Sequence, residues 1–268
     1  MSLSKLAEYR SVSVLEQEYP DEAKLIEDFM NSGLLRKERS CSKCGNPMSI
    51  RYRKGIPEII ICWVNKLKGT QISMELGISE NSVTDWKNLL RELCTEIGGG
   101  GKIGGEGEVV EIDECCVHVR KYGRGEIRGD PVWVIGGVVR GSRVMFMEVV
   151  QNRTAKILLP ILRRNIDARS IIVSDKWGAY SQLSKVFAKH YCVNHSIEFG
   201  HTADDGFAVY TNTIEGCWKR FKDPLKAGNG TSDALLKSYV HEFIAREKSG
   251  DNFLLEILKI IVSKVNKD

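Results

Sequence analysis

From residue 108 onward the apolar positions come in short dense runs broken by turn residues. Residues 108–119, 131–140 and 143–150 read as three strands, with Gly141-Ser142 as a short turn between the last two. Ile157, Leu158, Ile161 and Leu162 recur at helical spacing and predict a helix over 154–166, interrupted at Pro160. The run at 170–174, with Ile171, Ile172 and Val173 between two serines, predicts a short strand buried on both faces at the centre of a sheet. A helix over 177–187, a fifth strand over 190–194 and closing helices from Thr213 complete the pattern. Three strands, a helix, a strand, a helix, a strand and then helix is the order of the ribonuclease-H-like fold. The expected class is therefore α/β, with a mixed five-stranded sheet over 108–268.

Ahead of this domain the pattern is helical and ends differently. Residues 98–107 hold seven glycines in ten positions, too poor in side chains to pack, and read as a hinge. Within the preceding module, 1–97, Thr70–Leu76 and Glu80–Leu93 predict two helices around the turn Gly77-Ile78-Ser79. Gly77 suits a positive φ, and Ser79 suits an N-cap. Ile72, Leu76, Ile78, Val83 and Trp86 fall where a helix-turn-helix buries its contacts. In such a motif the second helix enters the major groove. Asn81, Ser82 and Thr84 (with Glu80) would then face base edges and Lys87 the backbone. An ordinary helical hairpin uses the same spacings.

Charge adds weight to a polyanionic partner. The formal net charge of +4 says little, but its distribution is uneven. Nine Lys or Arg stand against Glu38 and Glu58 between Arg36 and Lys68, and eight stand against Asp167 and Asp175 between Arg153 and Lys189. Such segments suit double-stranded DNA, whose counterions are released on binding. Eight irregularly spaced cysteines do not form a disulfide framework in a chain of 268 residues. No run of eighteen apolar residues and no signal peptide is present, so a soluble intracellular protein without a membrane partner is expected. That means the nucleus in a eukaryote, or the cytoplasm and nucleoid in a bacterium. Cys41-Ser-Lys-Cys44-Gly is the knuckle of a zinc ribbon, yet a closed Zn2+ site needs two more ligands. Cys62 stands alone, so a metal-free knuckle is the other reading.

Three carboxylates carry the candidate chemistry. Asp113 interrupts an apolar strand, where period two groups it with Val109, Glu111 and Cys115 on one face and sets Ile112 and Glu114 on the other. Asp175 ends the 170–174 strand, although a turn acid would stand there too. In the expected fold these strands are parallel neighbours, and two converging anions call for a cation. Glu215 follows Asn212 by three, which is also a capping box. Lys222 lies two helical turns beyond Glu215, on the same face.

The words Glu111-Ile-Asp113-Glu, Ser174-Asp175-Lys-Trp177-Gly-Ala-Tyr180, Val193-Asn-His195 and Thr211-Asn212-Thr-Ile-Glu215-Gly-Cys-Trp218 resemble the Merlin superfamily of cut-and-paste transposons and its ISXO2-like insertion-sequence relatives. The resemblance covers residues 108 to about 250. It implies a DDE transposase with Asp113, Asp175 and Glu215 as its metal-binding acids and Lys222 as the accompanying base. It also implies supporting roles for His195 and Asn212, and a homo-oligomer that pairs DNA ends. Two Mg2+ ions, with Mn2+ as substitute, would cut transposon ends and join them to target DNA. The zinc ribbon common in the family is reduced here to Cys41 and Cys44. Two rivals remain on this reading: a host-adopted, catalytically silent DNA-binding regulator, and a ribonuclease-H-like nuclease that never joins strands.

Overall fold

The computed structural model describes residues 2–9, 11–36, 38, 40–41, 43–47, 56–117, 131–194, 200–227 and 231–265. Helices come first: α1 (Leu3–Leu6), α2 (Val12–Glu18), α3 (Glu22–Asn31), α4 (Ile56–Val64), α5 (Gly69–Leu76) and α6 (Glu80–Gly98). Then follow β1 (Val109–Cys116), β2 (Trp133–Val139), β3 (Met145–Val150), α7 (Ala155–Asn165), β4 (Ile171–Asp175) and β5 (Lys189–Val193). A small hairpin, β6 (His201–Thr202) and β7 (Ala208–Val209), precedes α8 (Asn212–Ala227), α9 (Asp233–Ser249) and α10 (Phe253–Val265). The chain divides into two compact units, one of residues 1–97 with 249–268 and one of residues 98–248.

The second unit is built on a sheet of order β3-β2-β1-β4-β5. β1–β2 and β2–β3 are antiparallel, whereas β1–β4 and β4–β5 are parallel. This mixed α/β arrangement is compatible with the ribonuclease-H-like fold. Both faces are covered, which is why β2 and β4 read as apolar runs. On one face Val110, Ile112, Ile135 and Ile172 pack with Leu158 and Leu162 of α7. On the other, Cys115, Val134 and Val138 pack with Ile214, Cys217, Trp218 and Phe221 of α8 and with α9.

One sequence expectation is corrected here. The helix expected over 177–187 is a pair of 3-10 turns, Gly178–Tyr180 and Leu183–Lys185. Buried Tyr180, Leu183 and Phe187 carry helical spacing, but Gly178, Ser181 and Ser184 add little helix propensity between them. Within the glycine run, Ile103 and Gly104 are anchored. The Ile103 amide donates to the Asn165 carbonyl at 2.7 Å, and the Ile103 carbonyl accepts from Asp167 at 2.9 Å. Gly104 sits at φ +76, and a Cβ there would lie 2.3 Å from Ser170 Oγ. Glycine is used at this position for close packing.

In the first unit α10 packs on α1 and α4, with Leu254, Ile257 and Leu258 buried and Phe253 against Trp63 at 5.4 Å. The compact unit that holds the sheet comprises residues 98–248. α5 and α6 meet at Gly77, whose φ is 63, and Ser79 Oγ accepts from the Ser82 amide at 3.1 Å. Ile72 and Val83 are fully buried, while Leu76, Ile78 and Trp86 are half-buried. No helix among the described residues is long and apolar enough to cross a membrane.

Candidate active site

β1 and β4 run parallel with Val109 level with Ile171, Val110 with Ile172 and Glu111 with Val173. Two residues further along that register, Asp113 comes level with Asp175. Neighbouring strands are about 4.8 Å apart, so the two acids share one end of the sheet. The alternation read from sequence is the one observed. Glu111, Asp113 and Cys115 face α8, whereas Val110, Ile112 and Glu114 face the α7 side.

α8 brings the third acid, and its start is fixed by Glu111. This buried carboxylate accepts the Thr213 amide at 2.8 Å, the Ile214 amide at 3.2 Å and the Thr213 hydroxyl at 2.9 Å. It thereby satisfies helix amides that would otherwise be orphaned. Arg140 Nε donates to the same carboxylate at 2.8 Å. Its other nitrogens donate to the carbonyls of Ala208 and Tyr210, and its guanidinium lies 3.7 Å from the Tyr210 ring centre. Asn212 is the first helical residue, and the Glu215 amide donates to the Thr211 carbonyl at 3.2 Å. The capping box with Asn212 as cap is therefore not formed. Glu215 is exposed, with Oε1 accepting from the Thr211 hydroxyl at 3.0 Å.

One turn on, Trp218 Nε1 donates to Asp113 Oδ2 at 3.0 Å. Gly136 permits this contact. It is the cross-strand neighbour of Asp113, and a Cβ there would meet the Trp218 ring at 2.7 Å. Burial, and after it the charges of Asp175 and Glu215, push the Asp113 carboxyl up to about 6, against the hydrogen bonds from the Glu114 amide and Trp218. Burial likewise pushes Glu114 up to about 7, although the Tyr180 hydroxyl donates to it and Arg153 stands 4.0 Å away. Lys222 reaches Cys115, the next residue after Asp113 on the same face of β1. Its charge pulls the thiol down, but burial prevails and holds it at about 11.

Among the described residues, no three His, Cys, Asp or Glu side chains converge as a ready cage for one ion. The donors nonetheless suit Mg2+, which takes one or two carboxylates and completes its shell with water and substrate phosphate. Burial chiefly lifts Asp113, and a dication there would favour its ionised form and offset the charges of Asp175 and Glu215.

The remaining sequence candidates are dispersed. Asn81, Ser82 and Thr84 are exposed on the first turns of α6, and Lys87 is half-buried. The Ser82 hydroxyl already bonds Ser79, and Thr84 Oγ1 donates to the Glu80 carbonyl. Cys41 and Cys44 form a tight turn, in which the Cys41 amide donates to Asn46 and the Gly45 amide to Cys41. The backbone amides of Lys43 and Cys44 pull the Cys41 thiol below its usual range. Cys62 is buried in α4. His195 lies outside the described residues. Sequence reasoning missed the roles of Arg140, Glu111 and Trp218, although Trp218 sits one helical turn after Glu215, on its face of the helix.

The sheet order defines a mixed α/β domain compatible with the ribonuclease-H-like fold, with Asp113 and Asp175 at one end of it. The profile of the ISXO2-like transposase domain matches residues 104–247, more than half of the chain, and the chain belongs to that family. An "Uncharacterized transposase-like protein" of Haemophilus influenzae is 29% identical over 98 residues, which are 37% of this chain and 76% of the relative. Transposases of the DDE type generally use a divalent cation such as Mg2+.

Proposed function

We propose that this chain is an active DNA transposase that cuts element ends and joins them to target DNA, with Asp113, Asp175 and Glu215 as its metal-holding acids. What supports the reading is geometry: the β1–β4 register brings Asp113 level with Asp175 at one end of the sheet, and Trp218, one turn after Glu215 on α8, donates to the Asp113 carboxylate. Two Mg2+ ions held there, or Mn2+ in their place, would supply an activated water or 3′-hydroxyl and stabilise the leaving oxygen. The chain's own residues do the positioning. Trp218 orients the Asp113 carboxylate, and Glu111 fixes the start of the helix that presents Glu215. Lys222, on the Asp113 face of β1, is suited to hold a phosphate of the DNA. Asn212 and His195 are assigned to support. α5 and α6 are proposed to act as a helix-turn-helix, with Asn81, Ser82, Thr84 and Lys87 toward DNA. Two or more copies would pair the ends.

The test is nicking of a supercoiled plasmid bearing the element's own ends, with Mg2+ and with EDTA. Glu215→Gln should lower nicking by orders of magnitude while DNA binding and melting temperature hold, because an amide is a poor ligand for a hard dication. An active Glu215→Gln protein removes Glu215 from the site and moves attention to Asn212 or Asp223. A wild type that binds DNA and nicks nothing leaves the silent regulator instead.

A further inference from the structure

Beside the acids lies a stack that the proposed chemistry does not use. Arg153 is held between two indoles, its guanidinium carbon 3.9 Å from the Trp133 ring centre and 4.4 Å from that of Trp177. Trp177 Nε1 donates to the Arg153 carbonyl at 3.3 Å, which fixes the ring's edge. Trp133 pairs with Cys116, so the stack lies at the same end of the sheet as Asp113, and Trp177 follows Asp175 by two residues. Trp177 is 40% exposed and is the one aromatic among the large apolar side chains exposed in the described residues.

We propose that Trp177, backed by Arg153, is a stacking platform for one unpaired nucleobase next to the phosphodiester being cut; this rests on the transposase reading above. Arg153 covers part of the indole and leaves the rest accessible. A ring oriented in this way and left open is costly in water, yet it suits any base, because every base has a π-face. Bases inside a duplex are already stacked and cannot reach it. A base freed at the cut, or extruded beside it, can. The cation behind the ring adds to the attraction for an electron-rich partner and balances nearby Glu114. Holding that base would fix the adjoining phosphate against the acids, so Trp177 is a positioning residue.

The full-length protein, in EDTA so that nothing is cut, is titrated with two probes. One is a blunt synthetic duplex, and the other is the same duplex with a short unpaired 3′ extension bearing 2-aminopurine at its first position. Base–aromatic stacking predicts about tenfold or more tighter binding of the extended duplex, with quenched 2-aminopurine emission. Trp177→Ala should bring the affinity ratio to about one, and Trp177→Phe should restore most of it. A ratio that survives in Trp177→Ala, or a wild type that binds both probes equally, overturns the proposal. If Trp177→Ala fails to fold, Trp177→Leu, which keeps bulk without a π-face, decides in its place: a retained preference overturns the platform. A wild type that binds neither probe refutes the transposase reading as well, and so separates the two failures.

Discussion

Replacing Glu111 by Ala would leave the start of α8 without its acceptor. Two helix amides, Thr213 and Ile214, and the Thr213 hydroxyl lose their partner. A lost N-terminal acceptor costs about 1 kcal/mol, and each buried donor left unsatisfied costs about 1–3 kcal/mol. Arg140 is only 16% exposed and loses its carboxylate, but it keeps two carbonyls and the Tyr210 ring. Its share should therefore fall short of the roughly 3–5 kcal/mol typical of breaking a buried ion pair. The total expected for Glu111→Ala is about 4 kcal/mol. Glu111→Gln keeps the shape but turns one acceptor into a donor facing donors, and should cost about half as much. Urea denaturation followed by tryptophan fluorescence measures both. A loss below about 1 kcal/mol for Glu111→Ala would mean that α8 is held by other contacts, and the account of how Glu215 is presented would fail.

Three further outcomes follow from the same geometry. In EDTA, the raised carboxyls of Asp113 (about 6) and Glu114 (about 7) mean that the folded chain holds protons the unfolded chain releases. Their stabilising contribution is thus complete below about pH 4 and lost as pH rises through 6 to 7, as melting curves should record. Asp113→Asn should flatten that slope, and Mg2+ should offset the loss at neutral pH by favouring the ionised acids. Gly136→Ala should destabilise by about 1–3 kcal/mol in the same denaturation assay and cut nicking, since its Cβ would strike the Trp218 ring at 2.7 Å. Trp218→Phe removes a hydrogen bond that lowers the Asp113 pKa, so the acid limb of the nicking rate against pH should move upward. An unmoved limb would deny Trp218 that role.

The strands were legible because each carries a dense apolar run bounded by turns, and every strand expected over the sheet is present. That β1 and β4 are neighbours is not written in either run; it came from element order and family resemblance. Local periodicity misled at 177–187, where Tyr180, Leu183 and Phe187 keep helical spacing on 3-10 turns. It also suggested a cap at Asn212, because the true acceptor for those amides, Glu111, is 102 residues away from Thr213 in the chain. The Trp218–Asp113 bond spans 105 residues and left no local mark. Long-range polar partners have no period to read.

The amphipathic pattern of 253–265 predicts a helix but not what it covers, and α10 joins the first unit. Along the sequence the sheet unit therefore interrupts the other, which is made from two separated stretches of chain. On the ribosome, residues 98–248 can complete their core while the N-terminal helices still lack Leu254, Ile257 and Leu258. The N-terminal unit must then wait, with apolar surface uncovered, for a helix synthesised after the whole sheet domain. Expression that stalls or stops between residues 248 and 253 should leave a finished sheet domain attached to an unfinished, aggregation-prone partner.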